Sequence, residues 1–178
     1  MKWYTSDTHF WHKNIIKYSN RPFNSVEEMN EELIKRWNQR VKPDDEVYHL
    51  GDFGFAPIDK LQSIFNQLNG KKYFIKGNHD KEAVKLPWIW VKERVELYDN
   101  SNADKIMLVL SHYSHRVWNK AHHGSIMLYG HSHGSLEGDS QTLDVGVDCW
   151  EYAPVCLDEI KKRLNTLTPR KAVDHHGE

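Results

Sequence analysis

Two cysteines in 178 residues, Cys149 and Cys156, are too few for a disulfide framework, and no CxxC spacing offers a zinc knuckle or a redox pair. A reducing compartment, the cytoplasm, is the expectation. Charge of one sign is missing too: 24 basic side chains meet 25 acidic ones, so no global field draws the chain to nucleic acid or to a membrane surface. Only a local basic patch stays open. No run approaches the ~18 apolar residues of a membrane span, and no charged start leads into an apolar signal core, so neither membrane insertion nor export is expected. Repeats, low-complexity blocks and long linkers are absent. That leaves a single domain over 1–167, with no obligate protein partner in view. From Thr168 on, Pro169 and charged residues without an apolar period read as a loose tail over 168–178. A chain of this length buries roughly 70% of the surface its unfolded form exposes, so no metal is needed merely to hold it folded.

What the chain does have is histidine and tryptophan, 12 and 7 of them. The tryptophans fit a core. The histidines fall in a pattern: five apolar, strand-like runs each end in a residue able to bind a metal or move a proton. Asp7-Thr8-His9 follows the first, Gly51-Asp52 the second and Gly77-Asn78-His79-Asp80 the third. His112 follows the fourth, and Gly130-His131-Ser132-His133 the fifth. Helical periods lie between them. Ser25-Val26-Glu27-Glu28 is a capping-box pattern opening a helix over 25–41, and Pro57 opens a second whose apolar face runs through Leu61, Ile64 and Phe65 to a stop at Gly70. A polar helix is expected over 157–167. Strands alternating with helices argue for a layered α/β fold, in which the loops after the strands share one edge of the sheet and ligands bind there. Residues far apart in sequence can therefore meet. Each motif alone also has a plainer explanation: Asp7-Thr8-His9 can be an Asx turn, His12 a loop residue, and Asp148 a turn at a strand end.

Taken together, the donors are the carboxylates of Asp7 and Asp52, the amide oxygen of Asn78, and the imidazoles of His9, His112, His131 and His133. Seven nitrogen and oxygen ligands exceed what one ion takes from protein while leaving a place for substrate. They suit two ions sharing a carboxylate. Without a thiolate the set favours Mn²⁺, Fe or Zn²⁺, with Ni²⁺ also acceptable, over Cu⁺ or an iron–sulfur cluster. Two such cations can neutralise phosphate oxygens and activate a bridging water, so phosphoester hydrolysis is the natural reaction.

The five motifs in this order resemble the calcineurin-like metallophosphoesterases, over most of the chain. The resemblance implies a four-layer αββα sandwich with two metals at the strand ends. It implies that Asp7, His9 and His133 hold one metal, that Asn78, His112 and His131 hold the other, and that Asp52 bridges. It further implies that His79 faces the leaving oxygen as a general acid and that Asp80 orients its imidazole. The chain departs from the family after Gly51-Asp52, where Phe53-Gly54-Phe55 stands in place of further acidic residues. That departure bears on substrate preference.

Substrate contacts are sought in Arg21 and in the loop 114–124, whose His115, Arg116 and Trp118 suggest an anionic, ring-bearing substrate; a solvated loop anchored by Trp118 is the alternative. No insertion is large enough for a cap domain, so small phosphoesters or nucleotides are the expected substrates. A nuclease for single-stranded or damaged nucleic acid is the runner-up, although no basic track is visible. A protein-binding scaffold that has lost its metals is the third reading.

Overall fold

In the structure, a computed structural model, residues 1–101 and 105–171 are described. Strands β1 (Lys2–Thr5), β2 (Glu46–His49), β3 (Lys71–Ile75) and β4 (Val91–Lys92) run parallel to one another. With the antiparallel β9 (Val155–Cys156) they form a sheet of order β4-β3-β2-β1-β9. A second sheet takes β5 (Arg94–Asp99), β6 (Ile106–Ser111), β7 (Ile126–Tyr129) and β8 (Thr142–Asp144) in sequence order.

Register decides which side chains face which layer, because alternate residues of a strand point to opposite faces. Tyr4, Tyr48 and Tyr73 are aligned across three strands, and their rings stack at 5.6 and 4.8 Å. With Leu50 and Ile75 they pack against Leu108, Leu110, Ile126 and Leu128 of the second sheet. The other face of the first sheet carries Trp3, Val47 and Phe74 toward the helices α2 (Val26–Arg40) and α3 (Ile58–Gln67), which supply Met29, Leu33, Trp37, Leu61, Ile64 and Phe65. The two sheets are thus stacked and flanked by helices. The helical cover is unequal. On the outer face of the second sheet, Val109, Met127 and Tyr129 are sealed by Trp118 and Ala121 of the 114–124 loop, whose helical content is the 3-10 turn Ala121–His123.

The cap of α2 is the expected one: Ser25 Oγ accepts the Glu28 N–H at 3.1 Å. The Glu28 carboxylate reaches one residue further back than a capping box requires, to the Asn24 N–H. A single turn, α1 (Ile15–Tyr18), precedes α2, and α4 (Leu157–Leu164) ends three residues earlier than its apolar pattern suggests. Both cysteines are free. No helix among the described residues is long and apolar enough to cross a membrane. The expected loose tail is tied down at its start. Ser140 N–H donates to Thr168 O at 2.9 Å, and the Arg170 guanidinium bonds Asp139 and lies 4.0 Å over the Trp118 ring. Residues 172–178, including His175 and His176, and Asn102 of the expected turn lie outside the described residues.

Candidate metal centre

The loops that follow β1 and β2 run side by side past the sheet edge. Asp7 N–H donates to Gly51 O, His9 N–H to Asp52 O and Phe10 N–H to Phe53 O, at 2.9 to 3.0 Å. The loops after β6 and β7 are joined by Gly130 N–H to His112 O at 3.0 Å. Asp7, His9, Asp52, His131 and His133 all adopt a left-handed backbone, with φ between 47° and 66°. Non-glycine residues avoid that region unless the surroundings force them into it, and such strain gathers at functional sites. Two glycines are required by space. A Cβ on Gly77 would run into the Asp52 carboxylate, and one on Gly130 into Ser6 Oγ and the Asp7 carboxylate.

Five of the seven candidate ligands thereby meet as two groups together with His112. Donor atoms of Asp7, His9 and His133 lie within 4.8 Å of one another, and so do those of Asp52, His112 and His131. Asn78 joins the second group through its Oδ1, 3.0 Å from His112 Nε2. In the first group Asp7 is fully buried, and its Oδ2 accepts the His131 N–H at 2.9 Å. Its Oδ1 and the His9 Nε2 are buried without a hydrogen-bond partner. Burial pushes the Asp7 carboxyl up to about 8 and holds the His9 imidazole neutral, well below its usual range. Unpaired acceptors facing one another are what a cation satisfies.

The same test holds on the other side. His112 Nδ1 lies 2.7 Å from Leu50 O and so carries the proton, and burial keeps the ring neutral. Its Nε2 then presents a lone pair toward two further acceptors, Asn78 Oδ1 at 3.0 Å and Asp52 Oδ2 at 3.6 Å. His133 is oriented likewise: Nδ1 lies 2.7 Å from Asp148 Oδ2, which turns Nε2 toward Asp7 Oδ1 at 3.9 Å. Burial alone would press the His133 pKa down. The Asp148 bond and the two carboxylates outweigh it and raise it. The residues present fit two cations.

His79 stands beside both groups and belongs to neither. Its N–H donates to Asp52 Oδ1 at 3.0 Å, and its exposed ring lies 5.7 Å from His9 and 6.3 Å from His12. The expected part for Asp80 changes. Its carboxylate accepts three backbone N–H groups, from Asp52, Gly77 and Phe53 at 2.7 to 2.9 Å. It fixes the loops and does not orient the His79 ring. Burial still lifts its pKa to about 6 against those bonds.

None of the four substrate contacts expected from sequence lines the cleft over the two groups. Arg21 is buried, and its five N–H groups are committed to Asp148 (twice), Thr8 O, Asp7 O and Met29 Sδ. Trp118 is buried with its indole N–H on Ser125, so it anchors its loop and offers no face to a ligand. His115 is half-buried against Ser111 Oγ. Arg116 is exposed, and neither it nor His115 lines the cleft over the two groups. Sequence reasoning missed Asp148, whose partners Arg21 and His133 lie 127 and 15 residues away, and it left His12 undecided. His12 Nδ1 is 3.3 Å from His9 Nδ1, and the three-residue spacing was its one signal.

A family model described as the calcineurin-like phosphoesterase superfamily domain matches residues 3–146, and the chain belongs to that superfamily. It is 39% identical over 168 residues to an uncharacterized protein of Methanocaldococcus jannaschii, covering 89% of this chain and 88% of the relative. Over 204 residues it is 28% identical to the gene 66 protein of Mycobacterium phage L5, covering 96% and 97%. The crystal structure of a protein of unknown function from Aquifex aeolicus shares the fold, with a TM-score of 0.66 at 24% identity over 92% of this chain and 98% of that one.

Proposed function

We propose that the chain hydrolyses small phosphoesters, nucleotides among them, with two divalent cations. Asp7, His9 and His133 would hold one cation, Asn78, His112 and His131 the other, and Asp52 would bridge. The observation that carries this reading is the position of Asp52. Its Oδ2 lies 3.6 Å from His9 Nε2 and 3.6 Å from His112 Nε2, one imidazole from each group, while Oδ1 is turned aside to the His79 N–H. Nitrogen and oxygen donors without a thiolate suit Mn²⁺ first, with Fe, Zn²⁺ or Ni²⁺ as substitutes. When bound, such a pair of cations neutralises phosphoryl oxygens and lowers the pKa of a water.

The protein's own part is geometry and proton delivery. Asp80 and the left-handed turns fix the loops, and Asp148 and Leu50 O fix the tautomers of His133 and His112. A cleft of about 710 Å³, lined by His9, Asp52, His79, His131 and His133, admits a ligand of nucleotide size. There a P–O bond forms to a water oxygen as the P–O bond to the leaving alcohol breaks. His79 passes a proton to the leaving oxygen, and the attacking water releases its own to solvent. Two free cysteines suit the cytoplasm as the place of action.

The test is metal analysis of the purified protein together with a screen of aryl mono- and diesters, cyclic nucleotides, dinucleotides and single-stranded DNA. Uptake of two divalent cations per chain and cleavage of the small esters support the reading. A protein that takes up none and cleaves none is a scaffold of the same fold.

A further inference from the structure

Two clefts meet at His79. Beside the one just described lies a second of about 600 Å³, walled by Phe55, Ala56, Pro57 and Ile58, and His79 is the one residue among those described that lines both. This lining begins at Gly54 and Phe55, directly after the core residue Phe53. Phe55 leads it. Its backbone is pinned, with N–H donating to Phe10 O at 2.8 Å, and Gly54 before it has no room for a Cβ between Leu61 and Phe10 O. Phe53 already fills the core below. The Phe55 ring is therefore held out, 58% exposed, with the His12 ring at 5.2 Å and the His79 ring edge-on at 6.0 Å.

We propose that this second cleft receives the leaving group of the substrate, and that it selects a planar aromatic group, a nucleobase or an aryl ring, stacked on Phe55. The direction rests on the reading above, in which His79 faces the leaving oxygen: with phosphorus among the imidazoles, whatever that oxygen carries extends past His79. The run Phe55 to Ile58 suits a ring, and the imidazoles of the other cleft suit the phosphoryl group, so the two clefts divide the ester between them. The charged groups of this lining are Lys81, which is exposed, and Glu82, which is already bonded to Lys85 at 2.8 Å.

The experiment pairs kinetics with binding. For the metal-loaded enzyme, Phe55→Ala should raise KM about three- to tenfold for methyl naphthyl phosphate and leave methyl trifluoroethyl phosphate unchanged, with kcat little altered on either; the size is that of one offset ring stack. Phe55→Trp should restore the preference. Separately, naphthol alone should bind the chelated protein, detected by ligand-observed NMR, and lose that binding in Phe55→Ala. The cleft needs no cation, so this arm survives even if the protein hydrolyses nothing. Equal effects on both esters overturn the proposal, as does naphthol binding that is absent or indifferent to Phe55. Loss of all hydrolysis with naphthol binding intact overturns the phosphoesterase reading instead.

Discussion

The two ligand groups are built by opposite means. Around Asp7, His9 and His133 the support is side chain on side chain: Arg21 grips Asp148, Asp148 holds His133, and Thr8, between the two first ligands, is backed by the buried His49. Around His112, His131 and Asn78 the support comes from a backbone carbonyl and the exposed Tyr113 hydroxyl, which donates to Asn78 Oδ1 at 3.3 Å. Leu50 O holds His112, and His131 and Asn78 are exposed at the rim of the site. A network of buried charges fixes geometry firmly but fails as a unit when one member is lost, whereas a carbonyl cannot be mutated away and cannot titrate. The enclosed group should bind its cation tightly, and the open one should exchange its cation and meet substrate.

The harshest way to break this comparison is Asp52→Ala. Its carboxylate is the one that faces both groups, so metal analysis should show both cations lost and hydrolysis abolished. Retention of one full cation would mean that Asp52 serves a single group. His79→Asn comes next and should leave the comparison standing, since it removes no donor from either group. Both cations should stay. Activity should fall by ~10²–10⁴-fold on an alkyl or ribosyl ester, whose alkoxide needs a proton, and only modestly on a nitrophenyl ester, whose leaving group does not. Equal losses on the two would assign His79 to phosphate binding.

A sharper cut is Asp148→Asn, which touches only the enclosed side. The cation held by Asp7, His9 and His133 should bind ~10–100-fold more weakly while the other is unaffected, as two-site titration calorimetry would resolve. Because the Arg21 side chain is fully buried, losing its carboxylate should also cost about 3–5 kcal/mol of stability, read by urea unfolding. Equal weakening at both sites would show that the two groups are one rigid unit.

The open side and the strand ends were legible in the sequence, because a donor that follows an apolar run across a glycine or a sharp turn is a local pattern. The register that turns Trp3, Val47 and Phe74 to one face and three tyrosines to the other follows from the period of the strands. The enclosed side was legible only in its ligands. Asp148 read as a turn residue because its partners Arg21 and His133 come from other loops, and Arg21 read as a substrate contact because nothing nearby in sequence says that it is buried. Trp118 misled for the same reason: a tryptophan amid cationic residues looks like a binding face until the strand it covers is known. Asp80 shows the limit of resemblance. The acid is where the family has it, and its carboxylate is spent on three backbone amides.

The mildest test concerns His49, the last member of the enclosed side's support. Gly51 N–H donates to its Nδ1 at 3.3 Å, so the proton sits on Nε2 and is given to Thr8 Oγ1 at 2.9 Å, while Thr8 donates onward to Phe53 O at 2.8 Å. The ring is fully buried and has no acid beside it. Burial, helped by the neighbouring His112, lowers its pKa to about 3. The unfolded chain binds a proton near pH 6.5 and the folded one does not until about 3. Between those values the unfolded state holds more protons, so this contribution to stability is whole above pH 6.5 and is lost as pH falls, by roughly 1.4 kcal/mol per pH unit. His49→Gln keeps a donor for Thr8 and an acceptor for Gly51 but cannot titrate. At neutral pH it should be the less stable protein, by about 1 kcal/mol for an imperfect bond. As pH falls its curve should cross that of the unaltered chain, since only the latter still pays to keep an imidazole neutral. Chemical unfolding of both proteins in chelator, from pH 7 to 4, measures the difference without interference from bound cations. Parallel curves would mean that His49 reaches water and titrates alike folded and unfolded, and the enclosed side's weakness to acid would then rest on the buried His9 instead.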